Sequence, residues 1–305
     1  MGPTLVIHPG ALGDVLLAIP ALRALRKRHP DARITLAAQS PVGDLLRALA
    51  VIDTSVRFER LGLDRLFVGA DLDASIDVLR HAGRVVCWFG ARDPAFVREL
   101  AAIAPGAIVA TPWTSDAIVW EHLLATIGED RDGADRTPVR VPPSVVADGR
   151  RALAAAGWDG AAPLVVVHPG AGGVAKRWSI DGYADVLADI RSRFRVALVV
   201  HEGPADREPA QALVARLDPP VGKLDNPPLP VLAGALAHAR AFLGNDSGVS
   251  HLAAAAGAPS VVVATPEARA WAPWSPSVRP VIVSTRDLVR GDVARVATAV
   301  EDLLG

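Results

Sequence analysis

The chain has little of several things. Its 305 residues include one cysteine, one methionine and one tyrosine, and aromatic residues make up only 5% of it. The single thiol, Cys87, excludes an internal disulfide. Its place in the apolar run Val85-Val86-Cys87-Trp88-Phe89 suits a small buried hydrophobe in a reducing compartment rather than a catalytic thiol. No apolar run reaches the ~18 residues that would cross a bilayer, and no basic N-terminal region leads into a continuous hydrophobic signal core. A cytoplasmic protein is therefore expected. An excess of either charge is also lacking: the formal net charge of -1 argues against a whole-protein basic footprint, so no nucleic-acid partner is expected.

Half of the residues are hydrophobic. Ala, Val and Leu dominate, which suits helices alternating with buried parallel strands. The length suits two domains of roughly 150 residues each. In the first half, periodicity predicts strand 4–8, a helix over 14–29 kinked at Pro20, strand 33–38, a helix near 42–48, strand 84–89 and a helix over 94–104. Three prolines in Thr137-Pro-Val-Arg-Val-Pro-Pro143 predict an extended linker, and a helix over 144–156 follows. The alternation then restarts, with strands 164–168, 196–201, 241–243, 260–264 and one near 281–283. Helices are predicted over 180–193, 205–217, 230–239, 249–256 and 293–304. This is an α/β fold of two doubly wound, Rossmann-like domains, 1–143 and 144–305, expected to face each other across a central cleft. The last helix is a candidate to pack back on the first domain.

Three strand-to-helix loops carry residues suited to chemistry. The first, His8-Pro-Gly-Ala-Leu-Gly13-Asp14, is echoed at its opening by the second, His168-Pro-Gly-Ala-Gly172-Gly173. The first lacks the dinucleotide fingerprint, and Ala37-Ala38-Gln39-Ser40 lacks the acidic residue that would hold a ribose, which demotes a dehydrogenase. Asp14 is either a helix N-cap or a general base. The second loop continues Val174-Ala175-Lys176-Arg177-Trp178. It nearly spells a magnesium-dependent phosphate loop, but Ala175 and Arg177 replace the final glycine and the hydroxyl residue. A glycine turn delivering two cations remains, either a solvated Lys-Arg pair or a site suited to neutralising a diphosphate without metal. The third, Gly244-Asn-Asp246-Ser247-Gly248-Val-Ser-His251, does not match a nucleophile elbow. Ser247 and Gly248 can bind phosphate at a helix start, and Asp246 can cap the helix or hold a ligand. His251, one turn in, either donates to phosphate or packs in the core.

At these loops the sequence resembles the ADP-heptose:lipopolysaccharide heptosyltransferases, glycosyltransferase family 9. The resemblance rests on Gly13-Asp14-Val-Leu-Leu-Ala-Ile-Pro-Ala-Leu-Arg23, on His168-Pro-Gly-Ala-Gly-Gly with Lys176-Arg-Trp178, and on Gly244-Asn-Asp-Ser-Gly-Val-Ser-His-Leu-Ala-Ala254. It implies a GT-B fold and inverting, metal-independent transfer from an ADP-sugar to a lipopolysaccharide inner-core or related glycan acceptor. No cofactor is implied, the ADP-sugar being a substrate. Asp14 matches the proposed base, with Gly13 beside it on the acceptor side. Lys176 matches the lysine that binds the donor phosphates, and Asp246, Ser247, Gly248 and His251 match the nucleotide-binding turn. Gly172, Gly173 and Arg177 accompany Lys176. Glu202, at a strand end where the family has smaller or neutral residues, is a further candidate for the ribose or base.

Ser179 departs from the family's proline and is expected to alter only the start of the next helix. Acceptor contacts are expected within 51–136, where Arg60, Arg92 and Arg98 are undistinguished candidates. The loop Trp271-Ala-Pro-Trp274-Ser-Pro276 is either structural or a base-stacking element. Arg23, Arg26, Lys27 and Arg28 form a basic stripe that is either a solvated helix face or a peripheral contact with the inner face of the cytoplasmic membrane. A nucleotide-sugar 2-epimerase and a non-catalytic nucleotide-binding protein are the alternatives.

Overall fold

The computed structural model describes residues 2–68 and 77–305, so part of the stretch 51–136 lies outside the described residues. The chain forms two compact units. The first runs to Arg136 and takes in Ala270–Trp274; the second comprises Thr137–Arg269 and Ser275–Gly305.

In the first unit the strands are β1 (Thr4–Ile7), β2 (Ile34–Ala38), β3 (Thr54–Arg57), β4 (Arg84–Cys87) and β5 (Ile108–Val109), all parallel, in the order β3-β2-β1-β4-β5. Every residue of β1 is buried, as expected for a central strand covered on both faces. The helices are α1 (Leu12–Leu17), α2 (Ile19–Arg28), α3 (Ser40–Ala48), α4 (Asp77–Arg80), α5 (Pro94–Ile103) and α6 (Val119–Thr126). A core of Leu5, Ile7, Cys87, Phe96 and Leu100 lies on one face of the sheet. Burial pushes the Cys87 thiol up to about 12, which keeps it protonated and unreactive. The chain builds outward from β1 to β3 and then crosses to β4 on the other side of β1. The strand order therefore reverses between β1 and β4, and a crevice opens there beyond the strand ends.

The helix expected over 14–29 is in fact two helices, broken at Ala18. Pro20 lacks the N–H that would bond the Leu16 carbonyl, and a kink alone was too mild an expectation. The Trp274 indole Nε1–H donates to that carbonyl instead, at 2.9 Å. Trp274 is thus structural: buried, and stacked under the Arg23 guanidinium 5.4 Å from its ring.

The second unit contains β6 (Leu164–His168), β7 (Ala197–Glu202), β8 (Gly222–Asp225), β9 (Ala241–Asn245), β10 (Ser260–Ala264) and β11 (Val278–Ile282). They are parallel in the order β11-β10-β9-β6-β7-β8, and the reversal lies between β6 and β9. Its helices are α7 (Pro143–Ala155), α8 (Ile180–Arg193), α9 (Arg207–Val214), α10 (Leu229–Leu236), α11 (Gly248–Ala255) and α12 (Arg290–Leu304). The apolar stripe of α12, with Val296, Ala297, Val300 and Leu303, is spent within this unit, against Val261, Val263 and the α8 residues Leu187 and Ile190. Residues 138–142 are without helix or strand, and the Val139 N–H bonds the Ala255 carbonyl at 2.7 Å.

Candidate functional site

The two echoed turns follow β1 and β6, the strands at the two reversals. Each needs its first glycine for close packing. A Cβ on Gly10 would lie 2.7 Å from His8 Cε1 and 2.8 Å from Asp14 Cβ, and one on Gly170 would lie 2.2 Å from Asp206 Cγ. Each turn is also held by a side-chain amide on its proline carbonyl. Gln39 Nε2 donates to Pro9 at 3.2 Å, and Asn245 Nδ2 donates to Pro169 at 2.8 Å. Beyond that the turns diverge. A Cβ on Gly172 or Gly173 would meet nothing within 4 Å, so packing does not demand those glycines.

In the first unit Asp14 is not the N-cap. Ala11 takes that place, and Asp14 stands three residues in, its Oδ2 accepting the Ala11 N–H at 3.0 Å. Gly13 lies inside α1 just before it. Asp14 lines a cavity of about 640 Å³ at the β1/β4 reversal, with His8, Trp88, Arg92, Trp113 and Trp271 among its walls. Arg92 lies over Trp113, 5.6 Å from the ring centre. Of the other arginines considered, Arg98 pairs with its neighbour Glu99 at 2.9 Å, and Arg60 lines a separate, smaller cavity with Asp44 and Arg57. The basic stripe is largely spent inside the unit: Arg26 on Asp53 at 2.9 Å, Arg23 near Asp135 at 3.5 Å and Arg28 on Glu129.

In the second unit Lys176 and Asp246, 70 residues apart, meet at 2.8 Å. The lysine is half-exposed and the aspartate is buried. Ser247, not Asp246, caps α11, accepting the Ser250 N–H, which leaves the Asp246 carboxylate to hold the lysine. Gly248 is the first residue of α11. His251 Nε2 lies 4.0 Å from Asp246 Oδ1. Burial lowers His251 to about 4 despite Asp246, so the two are not an ion pair at neutral pH. Arg177, mostly buried, lies 3.9 Å from Glu208. Glu202, buried at the end of β7, is engaged by Lys223 at 2.6 Å and neighboured by Arg207 at 3.5 Å.

Asn245 went unrecognised in the sequence. Fully buried, it donates to Pro169, and its Oδ1 accepts the Trp178 N–H at 3.0 Å. It ties the glycine turn at both ends to the start of the Asp246 loop. Its place within the Gly244-to-His251 motif was the available signal.

Burial holds three imidazoles of these strand ends neutral: His8 falls to about 4, His251 to about 4, and His201, also opposed by His168, to about 3. Their ordinary value is 6.5. Between 6.5 and about 4 the unfolded chain therefore binds more protons than the folded one, and stability falls as pH drops through that window. Urea midpoints measured at pH 7 and pH 5 are expected to show a clear loss at pH 5. An unchanged midpoint would contradict the burial of these rings.

A family model described as glycosyltransferase family 9 (heptosyltransferase) matches residues 137–291. Solved structures with this fold include a family 9 glycosyltransferase from Veillonella parvula DSM 2008, at TM-score 0.76 and 19% identity, covering 99% of this chain and 97% of that one. The E. coli ADP-heptose lps heptosyltransferase II aligns at TM-score 0.75 and 20% identity, with 99% and 98% covered. The E. coli heptosyltransferase WaaC with ADP aligns at 0.67 and 17%, with 99% of each chain covered. Identities this low speak to the fold, which is the GT-B fold of two parallel-sheet domains. No curated protein sequence matches the chain.

Proposed function

The chain belongs to glycosyltransferase family 9, the heptosyltransferases, and on that premise we propose that it moves a heptose from ADP-heptose to a sugar hydroxyl of a lipopolysaccharide inner-core or related glycan. The transfer inverts the anomeric centre and uses no metal. The observation that carries this reading is the division of chemistry between the two strand reversals. A carboxylate lines a sugar-sized cavity in one unit, and an ammonium stands at a helix start in the other.

In the first unit Asp14 takes the proton of the acceptor hydroxyl as that oxygen bonds to the anomeric carbon. Trp113 and Trp271 offer apolar faces to the C–H faces of a glycan, and Arg92 offers a planar cation for a carboxylate or phosphate. In the second unit the bond from the anomeric carbon to the diphosphate breaks, and its electron pair leaves with ADP. Lys176 and the open N–H groups at the start of α11 stabilise that charge, with the neutral His251 as a further donor. Asp246 keeps the ammonium in place before the anion arrives.

The nucleotide is tested by thermal shift, because each ligand stabilises only by its affinity for the native state. ADP is expected to raise Tm more than UDP or GDP, with or without EDTA; a UDP preference would overturn the donor. A second outcome follows from the open glycines. Gly172→Ala is expected to leave Tm unchanged, since its Cβ meets nothing in the fold, yet raise the donor KM about tenfold, equal to ~1.4 kcal/mol of lost contact. Unaltered donor kinetics would remove that turn from the binding surface.

A further inference from the structure

We infer that His8 is a positioning residue, holding the acceptor through a hydrogen bond from Nε2–H to a glycan oxygen beside the hydroxyl that Asp14 deprotonates. The inference rests on the acceptor reading of the first unit's cavity. His8 directly follows β1, and only 1% of its surface is exposed. Its Nδ1 accepts the Gly10 N–H at 3.2 Å, and that bond fixes the neutral tautomer, because an accepting Nδ1 carries no hydrogen and the proton must sit on Nε2. Nε2 is buried and meets no partner among the described residues. A donor in that condition is costly and uncommon in a folded chain, and it calls for a reason.

The surroundings supply one. His8 and Asp14 both line the cavity, and both crowd the same side of Gly10, within 2.8 Å of where its Cβ would be. The Trp88 ring, edge-on to His8 with centres 5.6 Å apart, restrains the imidazole. Among the described residues the charged groups of the cavity wall are Asp14, Arg92 and Asp93, and Asp93 already accepts the N–H groups of Ala95 and Phe96. Burial keeps His8 neutral down to about pH 4, so it acts as a fixed donor and does not compete with Asp14 for the proton. Its counterpart at the second turn, His168, has Nδ1 3.0 Å from His201 Nδ1 and Nε2 3.8 Å from Asp206, which leaves it engaged inside the fold. The two echoed histidines thus differ in what their rings have left to offer.

The test uses the full chain, ADP-heptose and a deacylated lipopolysaccharide inner-core oligosaccharide as acceptor. His8→Asn retains an acceptor for the Gly10 N–H but loses the Nε2 donor, His8→Gln returns a donor near the Nε2 position, and His8→Phe removes both. The Asn and Phe variants are expected to raise acceptor KM about tenfold or more, the loss typical of one buried hydrogen bond. Donor KM, and the pH-rate profile between pH 6 and 9, should stay as in the wild type, while Gln recovers most of the acceptor affinity. The Phe variant no longer buries a partnerless Nε2 donor but strips the Gly10 N–H of its acceptor, so its Tm is read beside that of the Asn variant, which keeps that acceptor. Wild-type acceptor KM in His8→Asn, or losses that follow Tm across all three variants, would overturn the role of His8. Asp14→Asn run beside them separates the two readings: if it retains transfer, the acceptor reading of the cavity itself fails.

Discussion

Asp14→Asn is expected to lower the rate of heptose transfer by about 10³-fold, within the 10²–10⁴ that a positioned general base contributes. Asparagine fills the same volume and keeps an oxygen that can accept the Ala11 N–H, so α1 should start where it does now. What it loses is the ability to take a proton. ADP binding, which the proposed reading assigns to the second unit, should survive, as should the ADP-induced rise in Tm. A variant that transfers at the wild-type rate would remove Asp14 as the base, and one that lost ADP binding as well would point to damage beyond the site.

Lys176→Ala is expected to lower kcat/KM for the nucleotide sugar by about 10²–10³-fold, the scale seen when a donor to a developing anion is removed. The effect has two parts. The leaving diphosphate loses its ammonium, and Asp246 keeps a carboxylate in the path of that anion with its 2.8 Å partner gone. Lys176→Ala/Asp246→Asn should therefore recover part of the loss that Lys176→Ala suffers, because the neutral amide no longer repels the phosphate. Initial rates across donor concentrations, with ADP affinity measured in parallel, check both variants. Equal or worse activity in the double variant would show that Asp246 does more than hold the lysine.

The sequence was most informative where the chain is central and buried. Leu164–His168, Ile180–Arg193 and Ser260–Ala264 fall where their patterns predicted. The helix among them begins at a serine N-cap, Ser179, whose side chain accepts the Gly182 N–H. The missed strands are at the edges. β3, β5 and β8 were unforeseen and β11 was misplaced, and each lies at the margin of its sheet. An edge strand faces solvent on one side, so residues such as Thr54-Ser55-Val56-Arg57 or Gly222-Lys223-Leu224-Asp225 need no apolar run to reveal them. The site shows the same contrast. Asp14, Lys176 and Asp246 stand in compact motifs and were legible. The cavity wall was not, since Trp88, Arg92, Trp113 and Trp271 come from separate segments that only the crossover topology and the short 270–274 return to the first unit bring together. Asn245 and Gln39 were hidden for another reason: they hold backbone carbonyls, and beyond the place of Asn245 inside the Gly244-to-His251 motif the sequence carries no mark of that role.

Incubation of the wild-type protein with ADP-heptose and a deacylated inner-core oligosaccharide, in the presence of EDTA and followed by mass spectrometry and NMR of the product, tests heptose transfer most directly. The expected product is the oligosaccharide carrying one added heptose of inverted anomeric configuration, formed together with an equal amount of ADP. Conversion of the nucleotide sugar without acceptor, or ADP binding with no heptose transferred, would contradict it.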